Sequence, residues 1–309
     1  MSLLNAWDCL CCVVYEHVVA EDELNWPRLD LMVLKLSYHR ASPIPLEIEG
    51  FTPDWARDRS LAEIEEFQVF HGNQSRRLGE FFSISGDASD QEIAFEGDLS
   101  GVHYIGAQMK AGRIRVHGPV GRHTGSEMAG GEMIVDGDAG LFLGAEMHGG
   151  QIHVRGNAGN LVGARYRGSD RGMTGGTILV DGNAGNEVGV AMRRGLIAIG
   201  GSVGDVVGFN MIAGTILVFG TCGRRPGAGM RRGTIGVFGL PKPELLPSFR
   251  LASQFQPQFL RVILKSLAAR GLRFDASLLE STFSAHRGDF VSLGRGEILF
   301  RHSCGTSAT

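Results

Sequence analysis

Lysine is nearly absent: the 309-residue chain has 4 Lys and 26 Arg against 33 acids, for a net charge of −3. That balance excludes a bulk electrostatic drive toward nucleic acid or an anionic membrane. Proline is scarce at 10 residues, so the abundant glycine marks neither a Pro/Gly-rich disordered chain nor collagen, which needs glycine at every third position. No run of 18 apolar residues exists, which excludes a spanning helix. The best candidate, residues 9–20, is short and carries Glu16 and His17. A secretory leader needs a basic start, whereas Asp8 is the one charged side chain before Cys9, so the chain is read as cytoplasmic. The five cysteines (Cys9, Cys11, Cys12, Cys222 and Cys304) form an odd, uneven set and no disulfide framework. Gly-Lys never occurs and G-x-G-x-x-G is missing, which removes the phosphate loop and the dinucleotide fingerprint.

What is present is glycine. Of 46 glycines, 38 lie within residues 86–239, at a fixed spacing. Gly118, Gly137 and Gly156 are 19 apart, as are Gly182, Gly201, Gly220 and Gly239, while Gly156 to Gly182 is 26, or 19 plus an insertion of 7. Two more columns keep step: Gly121, Gly140, Gly159, Gly185, Gly204 and Gly223, and Gly125, Gly144, Gly163, Gly189, Gly208 and Gly227. The unit reads G-x-[IM]-x-[VI]-x-G-x-[AVC]-G-x-x-x-G-x-x-[MY], with six copies over residues 112–232, a looser copy before and a half copy after. A fixed period near 20 residues means a solenoid.

The segment G-x-I-x-V alternates with period two, which is strand spacing. A unit of 19 residues has no room for a helix plus a strand and its turns, so strands of successive copies must pair in parallel about 4.8 Å apart. The column Ile114, Met133, Ile152, Ile178, Ile197, Ile216, Ile235 should stack inside, beside a second column running from Val116 to Val237 and a third of small residues from Val120 to Cys222. Pro119, Asp138, Asn157, Asn183, Ser202 and Thr221 are a turn vocabulary. The fold class expected is all-β: a right-handed parallel β-helix of about seven coils with mixed caps. Residues 1–31 read as an extension, which a start at Met32 would leave outside the protein. An N-terminal cap (32–85), the glycine-rich β-helix (86–239) and a C-terminal cap (240–309) follow. Leu61 to Phe67 reads as a short helix. Phe255, Phe259, Leu260, Ile263, Leu264 and Leu267 lie at helical spacing, a helix expected to close one end.

Most chemical motifs yield to this repeat. Gly200-Gly-Ser-Val-Gly matches G-x-S-x-G, but Ser202 occupies the turn column and lacks the strand-to-helix context of a nucleophile elbow. Of ten histidines, the pairs His117/His123 and His148/His153 are nearest in sequence and neither has metal-ligand spacing. The column Met128, Met147, Tyr166, Met192, Met211, Met230 reads as an adaptable core ladder. Expected site residues are catalytic none, cofactor-binding none and metal none. The arginines carry the functional reading. Arg165, Arg167 and Arg171 flank or lie in the insertion, and Arg193, Arg194, Arg231 and Arg232 follow the methionine column two coils apart. They form either a solvated face paired with Glu127, Glu146 and Glu187, or a basic edge that docks a partner through bidentate contacts.

At His103-Tyr-Ile-Gly-Ala-Gln-Met, Gly121-Arg-His-Thr-Gly-Ser-Glu-Met, Tyr166-Arg-Gly-Ser-Asp-Arg-Gly-Met-Thr-Gly-Gly and Met192-Arg-Arg-Gly-Leu-Ile, the chain resembles a known family. The repeat is similar to the glycine-rich β-helix of the glutamate synthase C-terminal domain and closer to the C subunit of formylmethanofuran dehydrogenase, over about residues 32–272. The arginine-rich composition favours the bacterial form of that protein, in the formyltransferase/hydrolase complex of methylotrophs. The resemblance implies a non-catalytic scaffold in one-carbon metabolism, beside the hydrolase (A), B and formyltransferase (D) subunits. That complex moves a formyl group from tetrahydromethanopterin to methanofuran and releases formate, with zinc held in the hydrolase. In methanogens, the resemblance implies tungsten or molybdenum chemistry. No cofactor is expected on this chain, and no nucleic acid or membrane. Methanofuran carries glutamate units that the arginine edge could also meet. Two other readings stand beside it: a glutamate synthase-like scaffold domain, or a stand-alone β-helix enzyme that uses stacked acids such as Glu127 and Glu146.

Overall fold

The computed structural model describes residues 33–40 and 42–302. The expected extension at 1–31, Met32, and Cys9, Cys11, Cys12 and Cys304 lie outside the described residues. The N-terminal part holds strands β1 (Leu34–Tyr38), β2 (Leu46–Glu47), β3 (Gln68–His71), β4 (Gln74–Arg77) and β5 (Phe82–Ser85). Between β2 and β3 lie two short helices, α1 (Pro53–Ala56) and α2 (Leu61–Glu65). Each starts where the sequence supplies a cap: Thr52 accepts from Trp55 N with proline at the first helical position, and Ser60 forms a capping box with Glu63.

Each copy of the repeat contributes a strand from its period-two segment: β6 (Glu92–Glu96), β8 (Arg113–His117), β9 (Glu132–Val135), β10 (Gln151–Val154), β11 (Thr177–Val180), β12 (Leu196–Ile199), β13 (Thr215–Val218) and β14 (Arg232–Val237), with a short β7 (Val102–His103) between β6 and β8. These form the parallel centre of a 13-stranded sheet, each paired with the next in chain order, β7 aside. The register places Ile114, Met133, Ile152, Ile178, Ile197, Ile216 and Ile235 opposite one another, as the period requires. The valine column stacks beside it, and both ladders are buried. The third column is bridged in parallel from Leu99 through Val120, Ala139, Ala158, Ala184 and Val203 to Cys222. A further line of backbone bonds runs at the glycine turn: Gly125 N to Ile105 O, Gly144 N to Thr124 O, and so on to Gly227 N to Val207 O. Each copy is therefore hydrogen-bonded to the next at three places around its length.

The turn residues add a side-chain ladder. Asp138 Oδ1 accepts from Asn157 N (2.7 Å), Asn157 Oδ1 from Asn183 N (2.9 Å), Asn183 Oδ1 from Ser202 N (2.8 Å) and Ser202 Oγ from Thr221 N (3.0 Å). Ser202 is thus a structural rung.

Two expectations are corrected. Tyr166 does not occupy the methionine column; Met173 does, fully buried with Met128, Met147, Met192, Met211 and Met230. The reason is steric. Each methionine methyl fills the space over a glycine of the next copy, and a Cβ on Gly195 would lie 2.8 Å from the Met173 methyl, just as one on Gly176 would from Met147. The insertion therefore precedes Met173 and throws Tyr166 outward. The second correction concerns the C-terminal helix, α3 (Gln258–Ala269). Its apolar stripe of Leu260, Leu264 and Leu267 packs on the outward-facing Leu179, Ala198 and Leu217 of β11–β13, so it covers a sheet face and does not close an end. The chain then adds β16 (Phe283–Gly288) and β17 (Arg295–Arg301), after β15 (Arg250–Phe255) has preceded the helix. β17 joins β14 in parallel, and β16 and β15 follow antiparallel. At the other end β1 pairs with β6, and Phe51, Phe82 and Phe95 fill the core with edge-to-face contacts.

Close stacking sets a stability test. A Cβ on Gly140 would lie 2.8 Å from the Gly121 carbonyl carbon and oxygen, while the nearest atom to one on Gly101 is 3.9 Å away. Gly140→Ala should therefore destabilise by about 1–3 kcal/mol or more, and Gly101→Ala should be close to neutral. Urea unfolding of the two variants checks both.

Candidate functional site

Six of the seven expected arginines converge. Arg165, Arg171, Arg193, Arg194, Arg231 and Arg232 line one cleft of about 890 Å³, whose only carboxylate among the described residues is Asp170. Arg167 is exposed on the insertion and does not line it. The insertion builds one wall, where Arg165 Nη1 donates to Ser169 O at 2.8 Å and ties the loop to itself. The turn after the buried methionine brings Arg193–Arg194 in one copy and Arg231–Arg232 two copies later, with the Ile212–Gly214 stretch between them. Among the described residues, none of Arg171, Arg193, Arg194, Arg231 and Arg232 forms an ion pair, so the alternative pairing with Glu127, Glu146 and Glu187 is not made. Glu146 instead accepts from Tyr166 N at 2.7 Å. Five unpaired guanidinium groups around one hollow, against the single carboxylate of Asp170, attract anions, and their planar forks suit carboxylates.

A second cluster lies outside every expectation drawn from the sequence. Tyr104, His123 and Phe142 occupy the same position of three successive copies, each in the left-handed backbone region. Their rings stack, with centroids 4.6 Å apart from Tyr104 to His123 and 5.1 Å from His123 to Phe142. The displaced Tyr166 lies over this strip, its hydroxyl 2.9 Å from His123 Nδ1. Burial first, then the neighbouring His103 and Arg122, lower the His123 imidazole to about pKa 4. Burial likewise raises the Tyr166 phenol to about 12. Both groups are therefore neutral near pH 7, and the pair latches the insertion to the repeat. The signal in the sequence is the 19-residue spacing of Tyr104, His123 and Phe142.

The remaining motifs are structural in what they touch. His117 Nδ1 lies 2.9 Å from Asp136, His148 Nδ1 lies 2.8 Å from Thr174 Oγ1, and His153, on an outward strand position, is buried with Nε2 2.9 Å from Asp181. Among the described residues no three His, Cys, Asp or Glu side chains are placed to hold a metal ion, and no helix is long and apolar enough to cross a membrane.

Comparison with known proteins follows the fold. No family model matches the chain. The C subunit of the molybdenum-containing formylmethanofuran dehydrogenase 1 of Methanothermobacter marburgensis is 47% identical over 79 residues, 25% of this chain and 20% of that protein. The C subunit of the tungsten-containing formylmethanofuran dehydrogenase 2 of Methanothermobacter thermautotrophicus is 42% identical over 81 residues, 25% of this chain and 30% of that one. The matches thus span less than a third of these curated relatives. A chain in the crystal structure of the formyltransferase/hydrolase complex (FhcABCD) from Methylorubrum extorquens, solved with methylofuran, matches with a TM-score of 0.81 at 33% identity, covering 87% of this chain and 100% of that one.

The aromatic latch generates a pH test. The His123 pKa is about 4 folded against 6.5 for the free side chain. Above pH 6.5 the side chain is neutral in both states, so its contribution is complete and stability does not change with its titration. As pH falls from about 6.5 to about 4, the unfolded chain takes up a proton that the folded chain refuses, so stability is lost through that window. His123→Phe keeps the ring stack and removes the titration. Urea unfolding at about pH 7.5 and about pH 4.5 should show a smaller acid loss for the variant than for the wild type.

Proposed function

The chain belongs to the C-subunit family of formylmethanofuran dehydrogenases, and from that premise we propose that it is a non-catalytic scaffold of a bacterial-type formyltransferase/hydrolase complex. The observation that carries the reading is the match to one chain of a multi-subunit complex, across that chain's whole length. Formyl transfer from tetrahydromethanopterin to methanofuran belongs on this reading to the formyltransferase (D). Release of formate belongs to the zinc-bearing hydrolase (A), and the B component completes the assembly in the cytoplasm. The chain is a right-handed solenoid of about seven coils, capped by residues 32–85 and 240–309. The three hydrogen-bonded lines between successive copies support this.

The chemistry of the side chains fits the same role. The repeat uses its polar turn residues on itself, as Asp138, Asn157, Asn183 and Ser202 each accept from the next copy. What it leaves for others is the arginine edge, where Arg165, Arg167, Arg171, Arg193, Arg194, Arg231 and Arg232 meet a partner.

The purified chain should show no formyl transfer and no hydrolysis of formylmethanofuran, and both activities should appear when it is co-purified with its partners. Turnover by the isolated polypeptide would overturn the scaffold assignment.

A further inference from the structure

Two interruptions of the repeat border the same cleft. The insertion supplies Arg165, Asp170 and Arg171, and the turn between β16 and β17 supplies Ser292. That turn also carries Phe290, Val291 and Leu293, which are 55%, 86% and 46% exposed. Large apolar side chains so exposed and so close together mark contact surfaces.

The turn is not loosely held. Asp289 N donates to Met230 O (3.3 Å), and its carboxylate accepts from Gly229 N (3.1 Å) and Val291 N (2.9 Å). Phe290 N donates to Ser248 O (3.2 Å) and Ser292 Oγ to Gly229 O (3.2 Å). Burial opposes ionisation of Asp289, but hydrogen bonds from Ser248, Val291 and Gly229 outweigh it and keep the carboxyl below its ordinary value. The backbone is thus fixed before anything binds, which lowers the entropy lost on docking.

A free polyanion would engage the arginines and leave the apolar turn in water. A purely apolar ligand would leave the guanidinium groups without partners. A protein surface satisfies both, since interfaces combine apolar and aromatic anchors with arginine. We infer that the cleft and the turn form one composite docking surface for a partner protein of the complex. The partner places a carboxylate-bearing projection between Arg193–Arg194 and Arg231–Arg232 and an apolar socket over Phe290, Val291 and Leu293. The two arginine pairs are two copies apart, about 10 Å by strand spacing, which admits a segment one chain wide. This inference rests on the scaffold reading above and names the chemistry of the partner.

The test is co-expression of the full chain with the other components of the complex and capture through a tag on one of them. Two variants are compared with the wild type: R193E/R231E and V291D. Their side chains stand outside the core, so their melting temperatures alone should equal that of the wild type. Both should bind the partner roughly tenfold more weakly or worse, and added salt should reproduce the loss only for the arginine contacts. A wild-type chain that fails to assemble overturns the scaffold reading. If the wild type assembles and either variant does so with unchanged affinity, the composite surface is wrong and the scaffold reading stands. If R193E/R231E assembles normally but no longer binds a polyglutamate peptide that the wild type holds, the cleft is a small-polyanion site, which equally overturns the proposal.

Discussion

Everything in this molecule depends on one backbone lying flat on the next. Successive copies hydrogen-bond along the strands, at the small-residue column and at the glycine turn, and at two of their corners there is no space for a Cβ. Gly137, Gly140 and Gly220 would each drive a Cβ to within 2.5–2.8 Å of the backbone of the copy before. The glycine columns are therefore the contact surface of the stack, more than a source of flexibility. The same constraint selects the interior, where a methionine methyl or an isoleucine δ-methyl fills the room that each glycine leaves.

The stack also imposes a local cost. Twelve non-glycine residues in two columns, from Tyr104 to Arg225 and from Gln108 to Asn210, are held at positive φ, a region that disfavours L-residues by about 1–2 kcal/mol each. The inter-copy hydrogen bonds offset this, because all of these residues but Arg225 donate their backbone N–H to a carbonyl of the next copy, as in Glu127 N to Ala145 O or Val206 N to Arg224 O. Ala191 apart, the side chains in these columns reach solvent at least in part, so packing leaves their identity free. At Tyr104, His123 and Phe142 the freedom is used for a ring stack; at Leu161, Glu187, Val206 and Arg225 the same column carries no such theme.

The repeat is legible in the sequence because glycine spacing and period-two alternation report the same stacking. Strand register, the buried ladders and the small-residue column follow directly from the 19-residue period. The position of Tyr166 is not, because a glycine-rich insertion shifts the register silently, and only the packing of a methionine methyl against a glycine tells which residue belongs in the column. The seat of α3 has a signal that helical spacing alone overlooks. The outward strand positions change from Arg115, Ile134 and His153 to Leu179, Ala198 and Leu217, which announces a covered face. The apolar turn at Phe290 and Val291 is not legible, because an apolar pair beside a strand ordinarily points into a core.

The cleft in the wall of the stack lies where the repeat is broken. This chain breaks it by an insertion of 7 residues in one copy and by the returning β16–β17 hairpin, and both breaks border the arginine cleft. Four of the cleft's six arginines, Arg193, Arg194, Arg231 and Arg232, belong to the repeat, at the turn after the buried methionine, where the stack fixes their backbone and leaves their heads at the surface. The ordered core thus supplies rigid spacing, and the two irregular segments supply depth and an apolar margin. Arginine suits that arrangement better than lysine, because a planar fork on a fixed backbone can meet a carboxylate at two points, and the exposed face that the repeat does not need for its own stacking is where such a contact costs the fold nothing.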